Sequence, residues 1–293
     1  MKISTVSVII PSHNRRSTLN RAIESVKSQS FSDWQLWLVD DGSEDGSGEW
    51  FQETYAREME SGQFFYLWQE NKGVSSARNQ AAKLCQSPWL AFLDSDDEWL
   101  AEKLEKQMNL AKKEPHLPLI HSNELWVRRG VRVNPMRKHQ KQGGRIFRQC
   151  LPLCCISPST SLIQRDLFLE LGGFREDFPV CEDYELWLRI CAQWDVGYIE
   201  EPLIIKYGGH EDQLSRRFKA MDYWRVKALA EHLSSPHLSL SEHQALRQVL
   251  LKKGRILLKG YQKHNNMTHF EEVSLLLTSA MEPELDSTLS SPS

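Results

Sequence analysis

Asp94, Asp96 and Asp97 place three carboxylates within four residues, directly after the apolar run 89–93. Charges that close repel one another unless a cation lies among them. Hard divalent cations take oxygen ligands, and Mg²⁺ is commonly held by one or two carboxylates together with substrate phosphates. The plain alternative is a solvated acidic turn ahead of the helical stretch that begins near Leu100. A second acidic pair, Glu182-Asp183, precedes the amphipathic stretch 184–192. An aspartate has a reference pKa of ~3.9, so it is ionised at neutral pH and can serve as a general base. The same position also suits the N-cap of a helix. Arg78 offers a guanidinium fork that matches phosphate oxygens, or a plain helix-surface cation, and Lys72 has a similar claim.

These residues need elements to hold them. Residues 6–10, 34–39, 64–68 and 89–93 read as short buried strands. Between and after them, 17–29, 50–59, 75–85 and 100–113 carry apolar residues at helical spacing. Strand and helix alternating at this interval mean βαβ units, hence an α/β fold: a mostly parallel central sheet with helices on both faces. In such sheets ligands bind at the carboxyl ends of the strands. Here those ends are Pro11 to Asn14, Asp40 to Ser43, Glu70 to Gly73 and Asp94 to Asp97, the most polar points of the first hundred residues. That coincidence locates a site.

The first strand is followed by Pro11-Ser12-His13-Asn14-Arg15-Arg16, without the GxGxxG of dinucleotide-binding folds, and no GxxxxGK[ST] occurs. The ligand must be held by another device, and carboxylates with a metal are the one available. The chain has 293 residues, 40% hydrophobic and 26% charged, with a formal net charge of -3. Those values exclude wholesale disorder and argue against a nucleic-acid partner. No run approaches the ~18 apolar residues of a membrane span, and the first apolar run is too short for a signal-peptide core. The expected location is cytoplasmic. Six cysteines without a CxxC pair are expected reduced and mostly buried.

Beyond residue 115 the rhythm changes. Strands are expected at 119–127, 131–133, 159–163, 196–199 and 203–207, with a helix at 166–171 ended by Gly172-Gly173. Residues 128–148 hold eight Lys or Arg and no acid, which reads as a solvated face, a loop over a diphosphate, or a contact for an anionic acceptor at a membrane surface. From residue 215 the pattern is helical to about 280, interrupted at Ser234-Ser235-Pro236, and the acidic, Ser-rich tail 281–293 is expected to be disordered.

In order along the chain stand VSVIIPSHN (6–14), VDDGS (39–43), NKGVSSARN (71–79), FLDSDD (92–97), GGF (172–174) and CEDYELWL (181–188). With these six motifs, over about two thirds of its length, the chain resembles the family 2 glycosyltransferases, which have the A-type nucleotide-diphospho-sugar transferase fold. The resemblance implies an enzyme that moves a sugar from a nucleotide-sugar, chiefly a UDP-sugar, to a glycan or lipid-linked acceptor in surface polysaccharide or glycolipid synthesis. It implies inversion and a Mn²⁺ or Mg²⁺ cofactor. Pro11 and Asp41 would contact the nucleobase and ribose, Asp41 accepting the uracil ring N–H through its carboxylate. Arg78, with Asn79, would lie near the ribose or diphosphate. Asp94 and Asp96 form the DxD pair, Asp96 the closer metal ligand, and Asp183 would be the catalytic base. His210, after the last expected strand, would be a further metal ligand or else a surface-loop residue.

The implied organisation is a transferase domain at 1–214, divided at 113 into nucleotide-binding and acceptor-binding halves, with a helical extension at 215–280. A peripheral contact with the inner face of a membrane is compatible with it. The rival readings are a nucleotidyltransferase, disfavoured by the glycine-poor first turn, and a catalytically degenerate protein that binds a sugar nucleotide or a partner, disfavoured because Asp94, Asp96 and Asp183 are all present.

Overall fold

The computed structural model describes residues 3–133, 140–209 and 221–281. The expected opening order is observed: β1 (Val6–Ser12), α1 (Arg16–Lys27), β2 (Trp34–Asp41), α2 (Ser47–Thr54), α3 (Ala56–Glu60), β3 (Phe64–Gln69), α4 (Val74–Leu84) and β4 (Trp89–Phe92). There follow β5 (Glu98–Trp99), α5 (Lys103–Lys113), β6 (Leu119–Arg128), β7 (Val131–Val133), α6 (Phe147–Cys150), β8 (Leu162–Gln164), α7 (Arg165–Glu170), α8 (Glu182–Cys191) and β9 (Gly197–Gly208). One sheet runs in the order β3-β2-β1-β4-β8-β6-β9-β5, with β7 hydrogen-bonded to β6.

The strands β3, β2, β1 and β4 are parallel, with Val8 opposite both Leu36 and Ala91. Beyond β4 the directions mix: β8 is antiparallel to β4 and β6, while β9 is parallel to β6. Side chains alternate across the sheet. Val6, Val8 and Ile10 share a core with Leu19, Ile23, Phe51, Leu104 and Met108, from α1, α2 and α5. On the opposite face α4 crosses β1 and β2, and Phe92 meets Phe168 and Phe174. The buried face of α4 is small (Ser75, Ser76, Ala77, Ala81, Ala82), which lets the helix lie close to the strands.

Several local expectations are corrected. The single helix expected over 50–59 breaks at Tyr55, which leaves helical geometry so that its ring packs on Phe51 and Phe64 and its hydroxyl donates to Glu24. The strand expected at 159–163 starts instead as a 3-10 turn, Pro158–Thr160, led by proline, and only Leu162–Gln164 pair. The two strands expected at 196–207 are one, β9, which follows β6 through register shifts around Asn123.

The chain divides into two compact units, Met1–Lys219 and Ala220–Ser293. In the second, α9 (Met221–Glu231), α10 (Leu240–Lys263) and α11 (Phe270–Met281) pack together. A capping box between Ser239 and Glu242 starts α10. Besides the expected interruption near 235, the helices break again at 264–269. Met281, expected to open the disordered tail, closes α11, and the remaining tail lies outside the described residues. Among the described residues no helix is long and apolar enough to cross a membrane.

Gly173 has φ +72, and a Cβ built there would lie 2.4 Å from Asn79 Oδ1. Gly173→Ala should therefore cost about 1–3 kcal/mol through backbone strain and displacement of Asn79. A lower urea midpoint at unchanged slope is the expected result.

Candidate active site

The polar strand ends are knitted to one another before any ligand is considered. His13 Nδ1 lies 2.9 Å from the Asp41 carbonyl, and Asn14 Oδ1 accepts from the Glu44 amide. Gly42, at φ +74, permits close approach of the third loop, since a Cβ there would sit 2.9 Å from the Asn71 amide nitrogen. The Asp41 carboxylate accepts from Gln69 Nε2 (2.6 Å), the Lys72 amide (2.8 Å) and the Gly73 amide (2.9 Å). It therefore holds the turn that opens α4. An ionised carboxylate has about four acceptor positions, so one remains on Oδ2. Asp40 accepts from the Ser43 amide and the Tyr66 hydroxyl. Pro11 is buried within β1, and Lys72 is exposed.

Arg78 lies on the small-residue face of α4 and is only 3% exposed. Its Nη2 donates to Asp94 Oδ1 at 2.6 Å and its Nη1 to Glu182 Oε1 at 2.9 Å, with the guanidinium carbon 4.9 Å from the Phe174 ring centroid. The fork expected to face a diphosphate is thus engaged inside the protein, joining the DxD loop to the start of α8. Burial works against the Arg78 charge, but the two carboxylates outweigh it and raise its pKa. Asn79, expected beside the donor, is turned the other way: its amide donates to the Phe174 carbonyl and its Oδ1 accepts the Phe174 amide.

The three aspartates after β4 divide into separate roles. Asp97 is buried, accepting from Ser159 Oγ at 2.7 Å and the Tyr207 amide at 3.3 Å. Burial pushes its pKa well up. Ser159 Oγ also accepts the Asp94 amide, so the 3-10 turn buttresses this loop. Asp96 points its carbonyl at Arg21 Nη2, 2.6 Å away, while its half-buried carboxylate has no ion-pair partner among the described residues. Burial first, and then the charge of Asp94, raise its pKa. A hard divalent cation would relieve that repulsion, so Asp96 and Asp94 fit one. Among the described residues no three acidic, thiol or imidazole groups are gathered tightly enough to enclose an ion by themselves. His210 lies outside the described residues.

Glu182 and Asp183 open α8 after Cys181, a non-glycine residue held at φ 62. Backbone strain at this turn is consistent with a functional position. Asp183 is therefore not the N-cap but a residue of the first turn, where acidic groups suit the helix dipole. Its Oδ1 accepts the Tyr184 amide, and its Oδ2 accepts from the Cys154 thiol at 3.3 Å. Tyr184 Oη and Trp187 Nε1 bond the Leu151 and Ile156 carbonyls and so fix the Cys154 loop. Burial, and then the Asp183 charge, keep the thiol protonated, hence a donor.

Cys154 carries no sequence signal, and neither does Lys206, a half-buried strand residue within hydrogen-bonding distance of Ser157 Oγ (3.4 Å). Burial opposes the Lys206 charge, but Asp97, Glu124, Asp94 and Asp183 outweigh it and raise its pKa. Part of the basic segment is internal too: Lys141 Nζ sits 3.1 Å from buried Glu124, and its Arg145 donates to the Ala192 carbonyl. Residues 134–139 of that segment lie outside the described residues. Although burial would raise Glu124, Lys141 and Lys206 hold it down at about 2.

A parallel half-sheet ending in an acidic loop, beside a second sheet region that carries an acidic helix start, is the architecture of the A-type glycosyltransferase fold. The sequence profile of glycosyl transferase family 2 matches residues 7–172. The chain belongs to that family and is a glycosyltransferase. It is 33% identical over 235 residues to UDP-Glc:alpha-D-GlcNAc-diphosphoundecaprenol beta-1,3-glucosyltransferase WfgD of Escherichia coli, covering 79% of this chain and 87% of that one. Its fold is similar to that of S. aureus TarS 1-349 in complex with UDP-GlcNAc, with TM-score 0.68 at 17% identity over 94% of this chain and 79% of that one. It is also similar to mannosyltransferase PcManGT from Pyrobaculum calidifontis in complex with GDP-Man and Mn²⁺, with TM-score 0.59 at 14% identity over 95% of this chain and 87% of that one.

Burial, and then the charge of Asp183, outweigh Arg78 and raise the pKa of Glu182 from 4.5 to about 7. Between those values the folded state binds a proton that the unfolded state does not. The Glu182 contribution is therefore complete below pH 4.5 and is lost as pH rises through about 7. Urea titrations from pH 4.5 to 8 should show this fall in the wild type and a flatter profile in Glu182→Gln.

Proposed function

We propose that this enzyme transfers a hexose from a UDP-sugar, with inversion and divalent-metal dependence, to a lipid-linked or glycan acceptor during surface polysaccharide or glycolipid assembly. The observation that carries the reading is Arg78, which ties Asp94 of the DxD loop to Glu182, the neighbour of Asp183. The reaction needs groups for the leaving diphosphate and a base for the acceptor at a common site. The UDP-glucose donor and the diphosphoundecaprenol-linked acceptor in the name of WfgD support both substrate classes, as does UDP-GlcNAc bound to TarS. In this reading residues 1–113 form the donor half and 114–214 the acceptor half.

The acceptor hydroxyl attacks the anomeric carbon as the bond to the diphosphate breaks, through an oxocarbenium-like transition state related to that of glycoside hydrolysis. Asp183 takes the hydroxyl proton, and the bonding pair leaves with the diphosphate. The Cys154 thiol, donating to Oδ2, orients the Asp183 carboxylate. Asp94 and Asp96, with His210 as a third ligand, would hold Mn²⁺ or Mg²⁺, which when bound stabilises charge on the leaving oxygens. PcManGT, whose structure holds GDP-Man and Mn²⁺, supports a divalent ion here. Pro11 and the remaining acceptor position of Asp41 would meet the uracil and ribose. Arg78 acts through Asp94 and Glu182 rather than on the donor.

Asp183→Asn keeps shape and loses basicity, so turnover at saturating donor should fall by roughly 10²–10⁴ while UDP-sugar affinity is retained. Glu182→Gln should be milder in turnover. Inactivity of Glu182→Gln beside an active Asp183→Asn would make Glu182 the base in place of Asp183, and a wild type that binds UDP without turning over any donor would favour the binding-protein alternative.

Calorimetry provides the metal test. UDP affinity should require Mn²⁺ or Mg²⁺ and weaken in Asp96→Ala. Unchanged affinity in EDTA would remove the metal from the reading.

A further inference from the structure

From Arg247 to Lys263 the helix α10 contains six Lys or Arg and no acid. Two of these cations are engaged within their own unit: Arg247 Nη1 donates to the Ala280 carbonyl, and Lys253 approaches Asp222 at 3.8 Å. The other four, Lys252, Arg255, Lys259 and Lys263, are exposed. At 100° per residue they fall on one stripe of the helix, and Ile256, 60% exposed, sits on the same stripe. The stripe advances 1.5 Å per residue, so it extends over roughly 17 Å. Its opposite side, through Leu246, Leu250, Gly254 and Tyr261, is buried in the helical unit.

Several surface cations elsewhere in the chain are ion-paired. Lys27 has Glu24 and Glu58, Lys106 has Glu102 and Glu201, Arg175 has Asp177, and Arg225 has Asp222. The four stripe residues have no acidic partner among the described residues, and Arg255, Lys259 and Lys263 follow one another at i, i+4, where like charges destabilise a helix. The arrangement thus costs local stability, and an external anion removes that cost.

We propose that this face of α10 docks on an anionic lipid bilayer, with the four cations at the phosphate level and Ile256 inserted between headgroups. A bilayer fits better than a nucleic acid because the stripe is straight, lacks any aromatic platform for bases, and carries an exposed aliphatic side chain at its middle. The purpose, bringing the enzyme to an acceptor confined to the membrane, rests on the lipid-linked reading above. The docking itself does not, since it is measured without turnover.

The full chain should be floated with vesicles of phosphatidylcholine alone and with equal parts of phosphatidylcholine and phosphatidylglycerol. Binding is expected only to the anionic vesicles and should fall as salt rises. Each of Lys252→Gln, Arg255→Gln, Lys259→Gln and Lys263→Gln should weaken binding roughly fivefold, and all four together more than a hundredfold. Ile256→Ser should weaken it less, and Lys252→Arg should retain it. The fourfold variant removes like-charge neighbours, so circular dichroism should show an intact fold, and its transferase activity on a soluble acceptor should equal that of the wild type. Equal binding of the wild type and the fourfold variant would overturn the proposal, as would equal binding to both vesicle types. Binding to poly-uridylate as tight as to anionic vesicles, with Ile256→Ser affecting neither, would make the stripe a general polyanion face and also overturn it. Failure of vesicle binding in a chain that still transfers sugar would leave the catalytic reading standing.

Discussion

One buried guanidinium organises the candidate site. Arg78 has been taken out of water on the inner face of a helix, and such a charge is tolerable only when its hydrogen bonds are satisfied by fixed acidic partners. Its partners lie 16 and 104 residues further along the chain. Satisfying the fork therefore locks the loop after the fourth parallel strand to the first turn of a helix from the other half of the sheet. Removing the cation would leave Glu182 buried beside Asp183 with no compensating charge, the situation that usually costs most in a broken ion pair. The rest of the local architecture serves this contact. Small residues let α4 approach the sheet, Phe174 covers the guanidinium face, and Arg189 ties the Gly172-Gly173 loop to α8 through Glu185 and the Leu171 and Gly173 carbonyls.

The acidic groups divide by environment rather than by type. Asp97 and Glu124 are buried and hydrogen-bonded, and they anchor loops and neighbouring cations. Asp96 and Asp183 are only partly buried. Lys206 lies electrostatically among Asp94, Asp97, Glu124 and Asp183, so it tempers a strongly negative region without closing an ion pair on any one of them. Cys154 adds a neutral donor to the Asp183 carboxylate that burial prevents from ionising.

Asp41, proposed above to meet the donor, is in the first place a structural residue. Three donors from the next strand and loop converge on its carboxylate, and two of them are backbone amides at the start of α4. The helix that carries Arg78 is thereby pinned at its first turn by the loop that follows β2. A change at Asp41 would consequently disturb the Arg78 contact as well as any ligand, so affinity alone would not apportion its roles.

The amino-acid sequence by itself determined the parallel half of the sheet, because buried strands such as Val6 to Ile10 and amphipathic helices repeat at βαβ spacing, and local periodicity is sufficient to reveal them. It also marked one end of the sheet as polar, since polar residues stop each strand there. The order and wording of the motifs identified the family. What only the tertiary structure decided depends on partners distant in sequence. Pairing beyond β4, the merger of two expected strands into β9, and the break at Tyr55 follow from packing that no local window contains. The direction in which Arg78 and Asn79 face was equally illegible, because a helix has an inner and an outer side and both residues occupy the inner one. The sequence suits Asp183 to a helix cap, but Cys181 takes that position in a left-handed turn. Cys154 and Lys206 had no signal at all: their significance is entirely the proximity of carboxylates brought to them by the fold.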